Sequence, residues 1–311
     1  MALLAADLGG TKLALAIFSE QGEILFEERV ALGNRAGEEV GLLIREQFRA
    51  VMGRYDISAA GICVPGIYHK TTGRVWAPNI GGWTDYPLQA ELEEFLDQIP
   101  VRIDSDRACC ILGEYWKGAA QGCKDAIYLA VGTGIGAGIM AGGQILRGGH
   151  DIAGAIGWMA LERPFHPRFA PAGCFEGYAS GTGMALHAQK LMEENMKYNG
   201  ALRQGSRAED VFKAYETGDE IAVQVINTCI ELWGMAMANL VSLFDPEKII
   251  LGGGVFGPGV RFIPRIVEEA AKWAQPVSMK LVQVEASMLH DKAGLYGAAM
   301  LAQQGKTDAG V

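Results

Sequence analysis

The sequence predicts a two-part α/β protein built on an internal duplication, and three observations carry that reading. The chain has 311 residues, enough for about two domains at roughly 150 residues each. It opens with an apolar run, a Gly/Thr turn, a second apolar run and another turn, and the same order returns about 120 residues later. After each such block, strand-like runs alternate with stretches of helical period.

Taken in order, Ala2–Ala6 is apolar and runs into Asp7-Leu8-Gly9-Gly10-Thr11-Lys12. Leu13–Phe18 is apolar again, Gln21-Gly22 turns the chain, and Glu23–Leu32 alternates. With no helical period before residue 36, these read as a meander of three strands. Glu38–Met52 places Val40, Leu43, Ile44, Phe48 and Val51 on one helical face. Ile57–Val64 reads as a buried strand stopped by Pro65-Gly66, Pro87–Asp97 as a helix opened by proline, Val101–Asp104 as a short strand and Asp106–Ala120 as a helix. The second block places strands at Ala126–Val131, Ala137–Ala141 and Gln144–Leu146, around Gly132-Thr133-Gly134-Ile135-Gly136 and Gly142-Gly143. Helices are expected at Cys174–Ala179, Gly183–Asn195, Arg207–Tyr215 and Asp219–Phe244. A strand at Lys248–Leu251 enters the run Gly252–Gly259, followed by a helix Ile263–Trp273, a strand near Lys280–Glu285 and a closing helix Lys292–Gln303. The pattern divides the chain near residue 121.

Half the residues are apolar and 20% are charged, the balance of a globular chain with a sizeable core. With 27 Lys and Arg against 36 Asp and Glu, the net charge of −9 repels phosphate backbones and anionic headgroups, so neither nucleic acid nor a membrane is an expected partner. No stretch approaches the roughly 20 unbroken apolar residues of a membrane helix. The six cysteines form no CxxC pair and no signal peptide precedes the first strand-like run, which reads as a reducing cytoplasm.

Glycine is abundant, at 42 residues, and clusters behind strands. No GxxxxGK[ST] is present, and Gly132-x-Gly134-x-Gly136 leads into a strand rather than a helix, which argues against a P-loop and a dinucleotide fingerprint. What remains is a hairpin whose backbone N–H groups and Thr hydroxyl meet phosphate oxygens, with Thr11 and Thr133 in equivalent places. Asp7, at the end of the first strand, caps a turn or holds the waters of Mg²⁺ beside those phosphates. Asp106 begins a helix, where it is either an N-cap or a carboxylate that accepts a hydroxyl proton in phosphoryl transfer.

Together these clusters resemble the ROK family of sugar kinases and repressors, in the actin/hexokinase/Hsp70 superfamily. The resemblance is nearly full length, through Asp7–Lys12, Pro65-Gly66, Ala77-Pro78-Asn79 with Trp83, Asp106 with Leu112-Gly113-Glu114, Gly132–Gly138, Gly173–Glu176, Asp245-Pro246 with Ile250–Val255, and Ala293–Ala299. It implies a two-domain actin-like ATPase fold, ribonuclease H-like and duplicated, with a central cleft. Residues 1–121 plus 292–311 would form the N-terminal domain, and 122–291 the C-terminal domain with the nucleotide side and a homodimer contact. It further implies Asp106 as catalytic base, and a cofactor site for ATP and Mg²⁺ of Asp7, Gly9, Gly10, Thr11, Lys12, Gly132, Thr133, Gly134, Gly253, Gly254 and Gly257. The carbohydrate would meet Asn79, Ser105, Asp106, Trp158 and Glu176. Repressor members carry an N-terminal helix-turn-helix; this chain opens on its first strand, and the kinase branch is expected.

The sequence also departs from the family. Where members read Ala-Gly-Glu-x-Gly-His, this chain reads Ala153-Gly154-Ala155-Ile156-Gly157-Trp158, so a sugar-binding carboxylate and a histidine are absent. The family's CxCGxxGC zinc motif aligns on Pro167–Cys174 and keeps one cysteine, so no structural zinc is expected unless His166 and Cys174 begin a substitute site. Ser105 and Ala108 stand for asparagines around the base. Trp158 either stacks on a sugar or fills a void, and Arg107 either contacts an anion or is a surface salt-bridge partner. Lost hydroxyl partners change specificity strongly. The expected activity is an ATP-dependent kinase of diverged sugar specificity, the alternative a sugar-binding regulator of weak or no activity.

Overall fold

The structure, a computed structural model, describes residues 1–309; the last two residues of the expected 292–311 segment lie outside the described residues. Contacts divide the chain into two units, one of residues 1–122, 145–153 and the C-terminal segment from Asp291, the other of residues 123–144 and 154–290. The segment 145–153, which the sequence reading leaves with the second half, makes its contacts in the first unit.

The first unit holds strands β1 (Ala2–Leu8), β2 (Lys12–Phe18), β3 (Ile24–Ala31), β4 (Ile57–Val64), β5 (Ile67–His69), β6 (Arg74–Trp76) and β7 (Val101–Ser105). Its helices are α1 (Glu38–Met52), α2 (Leu88–Leu96) and α3 (Asp106–Lys117), joined by the last helix of the chain, Ala293–Ala309. The sheet runs β3-β2-β1-β4-β7, and β5 and β6 form a separate hairpin that sequence periodicity does not reveal. β1 is antiparallel to β2 and parallel to β4, as β4 is to β7. Side chains alternate across the sheet. Leu4, Ala6 and Leu8 enter one core with Val40, Ile44 and Phe48 of α1 and Leu88 and Leu92 of α2. Leu3 and Ala5 enter another with Cys109 and Leu112 of α3 and Leu295, Ala298 and Ala302 of the last helix. α3 stops at Lys117 rather than at Ala120, because the Glu114 carboxylate accepts the Ala119 N–H at 2.7 Å and turns the chain away.

The second unit repeats the plan with β8 (Ala126–Val131), β9 (Ile135–Ala141), β10 (Gln144–Ile145), β11 (Lys248–Gly252) and β12 (Gln283–Ala286), in the order β10-β9-β8-β11-β12. Element for element this is the first sheet again, with the same antiparallel and parallel pairings. Its helices are α4 (Cys174–Ala179), α5 (Gly181–Glu194), α6 (Ala208–Glu216), α7 (Glu220–Phe244), α8 (Ile263–Ala271) and α9 (Pro276–Leu281), and the last helix of the chain is α10 (Ala293–Ala309). α7 is long and apolar enough to cross a membrane, yet Val225, Ile226, Trp233, Met237 and Leu240 are buried in the core of this unit. The strand expected near Lys280–Glu285 begins only at Gln283. Pro276 opens α9, and the Gln275 side chain accepts the N–H groups of Val277 and Ser278, both at 2.8 Å, so residues 280 and 281 are helical.

α3 and α10 approach backbone to backbone. A Cβ on Gly297 would overlap the Cys109 carbonyl, and one on Gly113 would overlap that of Ala293. Neither neighbour is a flexible side-chain end. Gly297→Val is therefore expected to destabilise the protein by at least about 2 kcal/mol through overpacking, read as a lowered midpoint in urea unfolding; an unchanged midpoint would show that the two helices can separate without loss.

Candidate phosphate loops and catalytic carboxylate

In the first unit, the β1–β2 hairpin closes where the Gly9 N–H donates to the Lys12 carbonyl at 2.8 Å, leaving Gly10 and Thr11 at the exposed tip. A Cβ on Gly10 would lie 3.3 Å from Asn79 Cβ, so the structure brings these two predicted residues together. Asn79 rides on a turn closed by the Ala77 N–H and the Trp83 carbonyl at 2.7 Å. Trp83 anchors that turn, fully buried, stacked on Tyr86 at 4.3 Å and donating from Nε1 to the Gly37 carbonyl at 3.0 Å.

Asp7 follows Leu3 and Ala5 in the alternation of β1 and so faces the side covered by α3 and α10. It pairs in register with Cys63 of β4, and a Cβ on Gly294, in the first turn of α10, would stand 2.7 Å from its Oδ2. Burial raises the Asp7 pKa, while a hydrogen bond from the Cys63 thiol and the charges of Lys12 and Arg29 oppose that. A half-buried carboxylate beside a phosphate-type hairpin fits Mg²⁺, which takes one or two carboxylates and completes its shell with phosphate oxygens and water. Among the described residues no group of three or more His, Cys, Asp or Glu is placed to hold a metal ion. His166 Nδ1 instead accepts the Arg168 N–H at 3.2 Å.

The alternative that Asp106 is an N-cap is corrected by the structure. Ser105 is the cap of α3: its Oγ accepts the Ala108 N–H at 3.4 Å. Asp106 occupies the first helical position, its Oδ1 accepting the Arg107 N–H at 2.8 Å, and its side chain reaches solvent. Desolvation by the protein mass behind it pushes its pKa up to about 6, with the Asp7 charge adding to the rise and Arg107 opposing both. Among the described residues Arg107 forms no salt bridge; its Nη2 donates to the Gly66 carbonyl at 3.1 Å, tying α3 to the Pro65-Gly66 turn.

The second unit carries the twin hairpin. The Gly132 N–H donates to the Gly134 carbonyl at 2.9 Å, leaving Thr133 exposed at the tip, one residue shorter than its counterpart. Ala130 takes the register position that Asp7 holds in β1, so this loop brings no carboxylate of its own. Glu176 is half-buried beneath the loop. Its Oε2 accepts the Ile135 N–H at 2.6 Å and lies 2.7 Å from where a Gly134 Cβ would be, while Gly157 crowds its Cβ. Burial raises its pKa and the Ile135 N–H lowers it. The residue expected to bind sugar thus buttresses the candidate phosphate loop. Trp158 is 58% exposed, which excludes the void-filling alternative.

A cavity of about 720 Å³ lies elsewhere, along β7, whereas one of about 610 Å³ gathers Gly132 and Thr133 with Gly254, and with Thr182, Leu186, Gln189, Arg207 and Phe212. Its size suits a small-molecule ligand. Gly253 (φ 88°) and Gly257 do not line it; Gly253 instead passes close to the Val131 carbonyl and lets β11 leave the sheet. The α5 and α6 residues escaped the sequence reading, although Gly181-Thr182-Gly183 repeats the composition of the loop facing it, and the Gly181 N–H donates to the Gly132 carbonyl at 2.7 Å.

The profile of the ROK family matches residues 3–305. The chain is 32% identical over 314 residues to a glucokinase of Halalkalibacterium halodurans, covering 96% of this chain and 94% of that one. It is similar to a solved ROK hexokinase from Thermus thermophilus, with a TM-score of 0.84 and 28% identity over 99% of this chain and 100% of that chain. It is also similar to a ROK family glucokinase from Streptomyces griseus in complex with glucose and AMPPNP, with a TM-score of 0.80 and 30% identity over 98% and 100%. The duplicated sheet and these neighbours place the fold among actin-like ATPases.

A Cβ on Gly254 meets no heavy atom within 4 Å, so larger side chains there project into open space on the cavity wall. Gly254→Val is expected to leave the thermal midpoint unchanged while weakening binding of AMPPNP about tenfold, measured by calorimetric titration. Unaltered affinity would mean that the nucleotide does not enter this cavity.

Proposed function

The chain belongs to the ROK family, and from that premise we propose that it is an ATP-dependent carbohydrate kinase, transferring the γ-phosphoryl group of ATP to a hydroxyl of a sugar or sugar derivative. The observation that carries the reading is the setting of Asp106: a carboxylate at the first turn of α3, relieved of capping by Ser105, open to solvent, with its pKa raised toward neutrality. Phosphoryl transfer asks the protein mainly for positioning and charge neutralisation, together with a carboxylate to receive the proton of the attacking hydroxyl. Asp106 takes that proton. The backbone N–H groups at Gly10, Thr11, Thr133 and Gly134 and the two Thr hydroxyls hold phosphate oxygens, Gly9 and Gly132 close the hairpins that present them, and Lys12 adds positive charge. The cavity beside Gly254 takes the adenosine part, and Gly253 and Gly257 shape the turn at its edge. Asp7 would hold the Mg²⁺ that accompanies ATP, and the ion would neutralise charge on the phosphates.

Sugar contacts fall to Asn79, Ser105, Trp158 and Glu176. Ser105 Oγ and Glu176 Oε2 already serve the fold, and Ala155 and Trp158 bring no carboxylate or imidazole. Charge-assisted bonds to sugar hydroxyls are worth about 1.5–3 kcal/mol each, so specificity has moved away from glucose toward a substrate with an apolar face or an added substituent that suits indole. The six thiols, none of them in a disulfide, and the acidic surface support a cytoplasmic protein without nucleic-acid or membrane partners, and we assign it as a homodimer.

Sugar-dependent ADP release is expected across a panel of hexoses, amino sugars, polyols and disaccharides, with glucose a poor substrate whose kcat/KM rises in Ala155→Glu with Trp158→His. Efficient glucose turnover by the unmodified chain would refute the specificity shift; ATP binding with no turnover on any sugar would favour the regulator instead. Because the base acts deprotonated, kcat/KM should fall as pH drops through about 6, and Asp106→Asn should lower kcat by at least about 10². Near-normal turnover of that variant would remove Asp106 from the chemistry.

A further inference from the structure

Behind the junction that carries Asp106, an ion pair between buried Asp104 and half-buried Arg147 holds the end of β7. Asp104 is 5% exposed. Its Oδ2 accepts from Arg147 Nε at 2.9 Å and also from Arg147 Nη2, while its Oδ1 accepts the Ser105 N–H at 2.9 Å. A carboxylate buried to this degree is strongly destabilising if its cation is removed. Two guanidinium nitrogens on one oxygen fix direction as well as charge, which an ammonium does not.

The group held by this pair is the cap of α3. Ser105, whose N–H is fixed by Asp104, caps α3 through Oγ, and the next residue is Asp106. Arg147 reaches β7 from the segment 145–153, which packs with the first unit although the flanking chain on both sides belongs to the second. That segment is itself restrained: the Ala153 N–H donates to the Arg147 carbonyl at 3.0 Å, and Asp151 Oδ2 accepts the Lys70 N–H at 3.3 Å. It then continues directly into Gly154–Trp158.

Resting on the kinase reading, we infer that Arg147 and Asp104 are positioning residues for the proton-accepting carboxylate of Asp106. Arg147 orients Asp104, Asp104 fixes the Ser105 amide, and Ser105 sets the first turn of α3 from which Asp106 projects. Neither residue touches the reacting atoms.

The test uses the full chain and four variants: Arg147→Met, Arg147→Lys, Asp104→Asn and the double variant Asp104→Asn with Arg147→Met. Two readouts are taken, steady-state kinetics and hydrogen exchange at the amides of residues 105–108. Arg147→Met is expected to lower kcat about tenfold or more with KM for ATP within about twofold, and to speed exchange of the Ala108 amide about tenfold, the effect of one lost charged hydrogen bond. Arg147→Lys should restore part of kcat, and the double variant, which buries no unpaired carboxylate, should be no worse than Arg147→Met. A folded Arg147→Met protein with unchanged kcat and unchanged Ala108 exchange overturns the inference, as does a loss confined to KM for ATP. Should Arg147→Met fail to fold, Arg147→Lys and Asp104→Asn carry the same comparison. Failure of the kinase reading shows separately, as absent sugar-dependent turnover in the unmodified chain, and the exchange measurement then decides alone whether the pair fixes the junction.

Discussion

Everything in the first unit depends on β1 being buried on both faces. Leu4, Ala6 and Leu8 lie in the core under α1 and α2, and Leu3 and Ala5 in the core under α3 and α10. Since residues alternate strictly along a strand, that double burial decides the direction of Asp7. A slip of one residue would turn Asp7 toward α1 and α2, away from the Cys63 thiol and the first turn of α10, and would point its carboxylate into an apolar core. The pairing of β1 with β2 and with β4 closes off that slip. The Asp7 carboxylate is therefore aimed by packing, before any ligand is considered.

The twin sheets share an order of strands without sharing a role. In the first, an acid in register stands just before the hairpin turn, and a later helix has a cap that frees a second acid. In the second, Ala130 and a shorter turn replace the first acid, and α4 through α7 stand where the first unit has α1 alone, with α4 supplying the buttress at Glu176 and α5 and α6 the walls of the cavity at Thr133. Duplication explains the scaffold, and the asymmetry between the copies explains why one bears Asp7 and Asp106 and the other the cavity beside Thr133.

How much of this the sequence announces depends on how local the cause is. α1, β4, β8 and α4 are bounded in the structure as periodicity and turn residues place them. β5 and β6 are three residues each, too short to show a period, and α9 sits where a proline suggests a break. The glycine hairpins are legible because their chemistry is contiguous. Ser105 and Asp106 are both good caps, and only geometry shows which one is used. The pair of Asp104 and Arg147 is separated by 43 residues with no pattern between them, and Leu186 and Arg207 meet Thr133 only once three helices have packed. Contacts made by the fold, rather than by neighbours along the chain, leave no local trace.

The order in which the chain is wired has a consequence for its birth. The face of β1 and β4 that carries Leu3, Ala5 and Cys63 is covered by Leu295, Ala298, Ala299 and Ala302 of α10, the last helix. All residues of the second unit, which ends at His290, are translated before that helix exists. A domain generally folds as a unit once its chain has emerged, so the second half can complete itself during synthesis while the first waits with one side of its sheet covered only in part, by Cys109 and Leu112 of α3. Of the two units, the one whose first strands are made earlier is the later to become a domain, and until α10 has emerged its partly covered apolar sheet face is a surface for chaperones to shield.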